Sequence, residues 1–249
     1  MVQAIICDFD FTLADSSPGV VACVSEALAG LGLPPASAER IHATIGLSLP
    51  HTLEALTGIV EPALATEFTR RFVAHADQVM HGLTLLYPWV PETVLTLRAA
   101  GQRLGIVSSK YRYRIERILA EGGLASQFEV IIGGEDVTQH KPDPAGLLLA
   151  LQRLNLPATD VLYVGDHPVD AEAASRVGVP FMAVLTGTSD VPSFAPYPRT
   201  QLSRGCIALA QSASDVWVVY LSTPPALPVI PFGHFGLKFP VIQVDKEEK

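Results

Sequence analysis

Short runs of apolar residues alternate along the chain with longer segments in which apolar residues recur every three or four positions. The short runs are rich in Ile, Val and Leu and are continuously apolar, which is typical of parallel strands covered on both faces. The longer segments have the spacing of amphipathic helices. Strands that alternate with helices in this way predict an α/β fold around a parallel sheet.

The pattern places the elements of this core along the chain. The strand candidates are residues 4–7, 104–107, 129–132, 161–164 and 181–185, and the helix candidates are residues 91–100, 112–121, 144–154 and 170–177. Glycine directly follows three of these helices, at Gly101, Gly122 and Gly178, where it commonly ends a helix. Asp143 and Pro144 suit the start of another, as its N-cap and first helical residue.

The interval between the first two strands is far longer than a simple crossover. About 95 residues separate Cys7 from Leu104, whereas a strand–helix–strand unit needs roughly 30. Four helices are predicted within it, at residues 18–31, 36–45, 49–56 and 62–80. We therefore expect a helical insertion at residues 16–85 in a core domain formed by residues 1–15 and 86–190.

The last part of the chain, residues 191–249, has a different pattern. It is rich in proline and weakly patterned, and it ends in the charged sequence DKEEK. We expect a C-terminal extension whose fold the pattern does not specify. Residues 222–249 would be an extended arm or disordered.

Composition narrows the class of protein. The chain has 249 residues, 49% of them hydrophobic, which is enough to bury one core with an insertion. The net charge of −8 and the lack of a Lys/Arg cluster argue against nucleic acid as a partner. We find neither a signal-peptide pattern nor an apolar stretch long enough for a membrane span. Three cysteines without metal-ligand spacing are typical of reduced thiols, so we expect a cytoplasmic protein.

A pair of carboxylates directly follows the first predicted strand. Alternate residues of an extended segment point the same way, so Asp8 and Asp10 are expected to face one site. Two close carboxylates repel each other unless a cation or a shared proton compensates. The pair therefore indicates a metal or acid–base site, and the alternative is a loop or helix cap with solvated acids.

Three further signals lie at the ends of later strands or in nearby loops. Ser108 could bind phosphate oxygens or serve only as a turn residue. Lys141, in a loop with two prolines, would be a fixed positive charge beside a helix start. Asp166 follows Gly165, and Asp170 would face the same pocket, cap its helix, or do both. Ligands bind at the carboxyl ends of parallel strands, so all four signals point to one site.

These motifs in this order resemble the haloacid dehalogenase superfamily, in its phosphoglycolate phosphatase-like branch with a helical cap inserted after the first strand. The resemblance covers about residues 3–190 and rests on four motifs: DFDFT at 8–12, VSSK at 107–110, HKPDP at 140–144 and VGDHPVD at 164–170. It implies a Rossmann-like parallel-sheet core with an α-helical cap, and an Mg²⁺-dependent phosphatase acting on a small phosphorylated metabolite.

The resemblance also implies roles for individual residues. Asp8 would attack phosphorus to form an aspartyl-phosphate, and Asp10 would act as general acid and then general base. Ser108 and Lys141 would hold the phosphoryl oxygens. Asp8, the main-chain carbonyl of Asp10, and Asp166 would bind Mg²⁺. Thr12 and Asp170 would contact and orient these groups rather than the substrate or the metal ion. Neither the substrate nor the oligomeric state follows from the resemblance.

One residue departs from the family pattern. Phe11 stands where glycine is most frequent, and its ring either narrows the space beside Thr12 or packs toward the cap. Four cap residues are candidates for substrate contact, although a surface or structural role suits each of them better: His42, Ser48, His51 and Arg70.

Several other activities are possible within the superfamily. Dehalogenases lack an acid at position 10, because their leaving group is halide, so Asp10 argues against dehalogenation. A sugar-phosphate mutase would carry a basic residue in the cap loop, which here reads Gly-Leu-Ser-Leu at 46–49. Phosphonate cleavage needs a cap lysine, and residues 16–86 contain none. The remaining alternative is a catalytically silent binding or regulatory protein, acting through its proline-rich tail.

Overall fold

A computed structural model describes residues 2–197 in full and, beyond them, the backbone of three strands at 200–203, 206–212 and 215–221. The described strands are β1 (Ala4–Cys7), β2 (Ala14–Asp15), β3 (Leu85–Leu86), β4 (Arg103–Val107), β5 (Val130–Ile132), β6 (Val161–Gly165), β7 (Phe181–Val184), β8 (Thr200–Ser203), β9 (Cys206–Ser212) and β10 (Asp215–Leu221). The described α-helices are α1 (Ser17–Gly30), α2 (Ala38–His42), α3 (Leu49–Thr57), α4 (Pro62–Val79), α5 (Val90–Ala99), α6 (Arg112–Glu121), α7 (Ala145–Leu154) and α8 (Pro168–Val177).

The core is a parallel sheet with the strand order β5-β4-β1-β6-β7-β8. Successive residues of β1 face opposite sides of it. Ile5 packs in a cluster with α5 and α6, whereas Ile6 packs in a cluster with α7 and α8. Apolar burial on both faces explains the uninterrupted apolar strands. The predicted α/β class is confirmed, and β8 adds a parallel strand that the pattern did not predict.

The helical insertion is formed by α1–α4, which share an apolar cluster of their own that includes Leu28, Leu53 and Phe68. The two segments that connect these helices to the core are β2 and β3, and they lie side by side because they pair antiparallel. These contacts position α1–α4 beside the carboxyl edge of the core sheet, where β1 ends.

Two helices begin later than predicted. Helix α2 begins after Ser37, whose hydroxyl accepts a hydrogen bond from Arg40 N, and it ends at His42 rather than at residue 45. Helix α7 begins at Ala145 instead of Pro144. Asp143 lies one residue before the N-cap, which is Pro144. It still accepts a hydrogen bond from Ala145 N, the first amide of the helix, at 2.9 Å.

The part of the predicted C-terminal extension that is described contains β8 and the antiparallel pair β9–β10. The prediction for residues 222–249 falls outside the described residues. Among the helices that are described, none has both the length and the apolar character required to cross a bilayer.

Candidate active site

The predicted site residues lie together at the carboxyl edge of the sheet. Asp8 and Asp10 follow β1, Ser108 follows β4, and Asp166 follows β6. Lys141 comes from the loop before α7 and Asp170 from the first turn of α8. All of them are buried, as is Thr12. Buried charges of this kind must be paired or must bind an ion.

Lys141 is the cation at the centre of this group. Its ammonium donates to Asp170 Oδ1 at 2.5 Å and to the Tyr163 hydroxyl at 3.3 Å, and lies 2.9 Å from Asp8 Oδ2. Burial alone would lower the pKa of Lys141, but the carboxylates of Asp170 and Asp8 raise it above its ordinary value. The ammonium is therefore charged at neutral pH.

Asp8 has one oxygen without a directed hydrogen bond. Its Oδ1 accepts from Phe9 N at 2.7 Å. Its Oδ2 is buried and, within the described residues, accepts no directed hydrogen bond, although the Lys141 ammonium lies 2.9 Å away. Burial raises the pKa of Asp8 to about 6, with Lys141 and Ser108 opposing the rise. Asp8 therefore presents an ionised oxygen that is available for chemistry near pH 7.

A group of three carboxylates could hold a metal ion. One oxygen from each of Asp8, Asp166 and Asp170 lies within 4.8 Å of the other two. Burial raises the pKa of Asp166 well above its ordinary value, and the charges of Asp170 and Asp8 add to the rise. A divalent cation bound through oxygen would offset this repulsion and satisfy Asp8 Oδ2, so the residues present fit such an ion.

Asp170 both faces the pocket and caps helix α8. Its Oδ1 accepts from Lys141 and from Tyr163, and its Oδ2 accepts from His167 N at 3.1 Å in a capping box of α8. These three hydrogen bonds use most of its lone pairs, so Asp8 and Asp166 have more capacity for a cation than Asp170 does. Thr12 supports Asp166, donating to its Oδ1 at 3.3 Å.

The side chain of Asp10 is not a member of this trio and pairs with Lys110. Lys110 Nζ donates to Asp10 Oδ1 at 2.8 Å, and both side chains are buried. No role was predicted for Lys110, although it lies in the VSSK motif. Lys110 lies two residues after Ser108 in the same strand-end loop, and this position in the sequence indicates that it belongs to the site.

The loop after β7 also belongs to the site and was missed. Gly187 packs so closely on Asp166 that a Cβ atom at this position would collide with the carboxylate. The adjacent hydroxyl of Thr186 donates to the carbonyl of Phe11. A strand end at this edge of a parallel sheet was the only signal for these two residues.

A cavity of about 100 Å³ lies between the helical insertion and the core. The insertion contributes mainly apolar residues to its walls, together with four hydroxyl groups, from Thr44, Ser48, Thr52 and Thr69. The core contributes polar and charged residues: Asp10, Ser109, Lys110, Tyr111, Arg114 and His140. Of the candidate cap contacts, Ser48 lines this cavity and bonds to His51 at 3.0 Å. Arg70, in contrast, pairs with Glu67 on the exposed side of α4.

Phe11 packs toward the helical insertion. Its buried ring meets the ring of His42 edge-on, with the centroids 6.5 Å apart. Its backbone is in the left-handed region, with φ at +58°. Glycine adopts this conformation without strain and phenylalanine does not, which explains why glycine suits this position.

Comparison with known proteins identifies the family of this chain. The profile of the haloacid dehalogenase-like hydrolases matches residues 5–184. A phosphoglycolate phosphatase from Cereibacter sphaeroides is 35% identical over 195 residues, which cover 77% of this chain and 88% of the relative. A phosphoglycolate phosphatase from Pseudomonas aeruginosa is 34% identical over 192 residues, covering 74% and 70%.

A solved structure of a haloacid dehalogenase-like hydrolase from Bacteroides fragilis is 40% identical, with a TM-score of 0.79 over 82% of this chain and 98% of its own. A phosphatase structure from Clostridium acetobutylicum, at 18% identity and a TM-score of 0.76, shares the fold. The predicted resemblance is confirmed: this chain belongs to the haloacid dehalogenase-like hydrolases.

Proposed function

We propose that this protein is a Mg²⁺-dependent phosphatase that hydrolyses a small phosphate monoester through an aspartyl-phosphate on Asp8. The observation that carries the proposal is the buried Oδ2 of Asp8, which has no hydrogen-bond partner among the described residues and lies 2.9 Å from Lys141 Nζ. An ionised oxygen beside a fixed cation suits attack on a phosphoryl group, because the cation offsets the repulsion between two anions.

The other residues of the site have roles that suit this step. Lys141 and the Ser108 hydroxyl would hold the phosphoryl oxygens while Asp8 attacks. Asp10 would protonate the leaving oxygen and then deprotonate the water that releases phosphate. Its salt bridge with Lys110 keeps the carboxyl group at the wall of the cavity, where a leaving group would lie.

Mg²⁺ would be held by Asp8, Asp166 and the main-chain carbonyl of Asp10, and it would stabilise negative charge on the phosphoryl oxygens. The carboxylate trio supports this proposal. Thr12 and Asp170 keep Asp166 and Lys141 in place through their hydrogen bonds.

The cavity supports a small leaving group. A volume of about 100 Å³ is below the roughly 300–1,000 Å³ of pockets that bind drug-sized ligands. Phosphoglycolate has a leaving group of a few heavy atoms, and relatives named phosphoglycolate phosphatase cover most of the chain. We therefore place phosphoglycolate and similar two- or three-carbon esters ahead of sugar phosphates and nucleotides.

The test is phosphate release from a panel of esters that range from phosphoglycolate to a nucleoside monophosphate. Each ester is assayed with Mg²⁺ and with EDTA, using wild type, Asp8→Asn and the control Asp160→Asn. Asp160 lies just before β6, at the opposite edge of the sheet, and bonds only to groups near that edge. We expect metal-dependent turnover, highest on the smallest esters, in wild type and in the control but not in Asp8→Asn. Folded wild type that releases no phosphate with Mg²⁺ would contradict the proposal.

A further inference from the structure

Three donors from α6 converge on one carboxylate of the helical insertion. Asp77, on α4, accepts at Oδ1 from Arg114 Nε at 3.0 Å, from Arg114 Nη2 at 2.6 Å, and from the Tyr113 hydroxyl. Arg114 Nη2 also donates to the carbonyl of Val73, one turn earlier on α4. We call this set, Asp77 with Tyr113 and Arg114, the clasp.

Arg114 is held in place on the core side of the clasp. Its side chain is only 8% exposed, whereas that of Asp77 is 46% exposed. The guanidinium lies over the rings of Tyr111 and Tyr113, 5.1 Å from each centroid. A planar guanidinium that is both stacked and hydrogen-bonded is a rigid donor. The clasp therefore fixes the position of α4 relative to α6.

Arg114 also forms part of the cavity wall, together with Tyr111 from the core and Phe72 from α4. The cavity thus has its observed size only while α4 lies against α6. Asp8 is 1% exposed and Asp10 is 7% exposed, so the insertion in this position covers both carboxylates. Entry of substrate requires the insertion to move, and movement of α4 away from α6 breaks the clasp.

We infer that Arg114 is a positioning residue for the reaction: through Asp77 it holds the helical insertion closed, and this closure restricts the site to small leaving groups. The inference about selectivity rests on the proposed function. The inference about closure does not, since it concerns contacts between two helices.

This role makes a prediction that a purely structural role does not. A small ester reacts in the closed cavity and loses rate when closure is weakened. A bulky ester does not fit the closed cavity, so it reacts in the open form and gains or keeps its rate. Loss of folded protein, in contrast, would lower both rates by the same factor. The ratio of the two kcat/KM values therefore separates closure from stability.

The first variant is Asp77→Ala, and the matched control is Glu67→Ala on the same helix. Glu67 pairs with Arg70 and Arg71 of its own helix, so its removal deletes an ion pair without touching α6. Alanine is the best helix former, so neither change weakens α4 by propensity. The distance between spin labels placed on exposed positions of α4 and α6 measures opening directly, without substrate.

We expect Asp77→Ala to raise the ratio of open to closed molecules about fivefold, the usual range for a half-exposed ion pair. The ratio of kcat/KM for phosphoglycolate to that for p-nitrophenyl phosphate should fall by a similar factor. Glu67→Ala should leave both unchanged. In both measurements, Arg114→Lys should lie between wild type and Asp77→Ala, because lysine retains the positive charge. Arg114→Met lacks the charge and should match Asp77→Ala.

An open fraction in Asp77→Ala that matches the control, or two kcat/KM values that fall in parallel, would overturn the inference. If wild type hydrolyses neither ester, the proposed function fails, and the distance measurement alone decides whether the clasp holds the insertion closed.

Discussion

The ammonium of Lys141 lies 2.9 Å from Asp8 Oδ2, and both side chains are buried. The same ammonium donates to Asp170, so one cation balances carboxylates from the loop after β1 and from α8. The charges depend on each other: the carboxylates raise the pKa of Lys141, and Lys141 limits the rise in the pKa of Asp8. The Oδ2 of Asp8 is therefore kept ionised by a residue 133 positions away along the chain.

Removal of this cation should destabilise the fold. Lys141→Met leaves Asp8 and Asp170 buried without their counter-charge, which should lower the free energy of unfolding by about 3 kcal/mol. Urea denaturation in EDTA measures the effect. The control Arg103→Met breaks the exposed pair with Glu129 and should cost less than about 1 kcal/mol. Equal costs for the two variants would contradict the role of Lys141.

The close approach of Gly187 to Asp166 predicts an effect on metal binding. Gly187→Ala would push the Asp166 carboxylate from its position beside Thr12, and the Mg²⁺ concentration for half-maximal activity should rise on the order of tenfold. A Mg²⁺ titration of phosphate release gives this value. Gly82→Ala, where an added Cβ meets open space, should leave it unchanged. If Gly187→Ala leaves the Mg²⁺ requirement unchanged, this result would contradict the assignment of Asp166 as a metal ligand.

The left-handed backbone of Phe11 predicts an unusual order of stabilities. Phe11→Ala loses the buried ring and keeps the strain, at a cost of about 3 kcal/mol, whereas Phe11→Gly also loses the ring but relieves about 1 kcal/mol of strain. Glycine should thus be the better replacement.

Phe128 provides the comparison for this order, since it is also buried but has φ at −99°. Alanine should be the better replacement there, because glycine gains nothing and costs more chain entropy. Thermal denaturation of the four variants gives both orders. The same order at the two positions would contradict the assignment of strain to Phe11.

The clasp predicts a dependence of stability on pH. Burial alone would raise the pKa of Asp77, but hydrogen bonds from Tyr113 and Arg114 outweigh it, and the pKa lies below its ordinary value. A carboxyl group whose pKa is lowered on folding contributes stability above its unfolded pKa, near pH 4, and loses that contribution as pH falls through its folded pKa.

Wild type should therefore exceed Asp77→Ala in free energy of unfolding by no more than about 1 kcal/mol at pH 7, because Asp77 is half exposed. This difference should shrink as the pH is lowered below about 4. Urea denaturation at several pH values measures it. A difference that grows in acid would mean that the charge of Asp77 does not stabilise the clasp.

The strands and their terminal motifs could be predicted from the sequence because both depend on local pattern. Asp8, Ser108 and Asp166 each follow an apolar run, and parallel strands bring such positions to one edge. The Phe11 ring direction could not be predicted, because the left-handed φ of this residue depends on contacts that include the hydroxyl of Thr186, far along the chain.

The pairings that were missed depend on how distant elements dock. Lys110 meets Asp10 across 100 positions, and its motif was visible while its partner was not. Asp77 and Arg114 lie on helices whose relative position is set by the packing of the helical insertion on the core. A residue such as Gly187 acts by lacking a side chain, so no chemical group in the sequence marked it.

The most direct test of the central claim is to trap the phosphorylated enzyme. Wild type is mixed with Mg²⁺ and phosphoglycolate, quenched in acid and reduced with borohydride, which converts an aspartyl-phosphate to homoserine; peptide mass spectrometry then locates the modified residue. We predict homoserine at position 8 when both substrate and Mg²⁺ are present, and unmodified Asp8 when either is omitted. Full turnover with no modification at Asp8, or with modification at a different carboxylate, would contradict the assignment of Asp8 as the nucleophile.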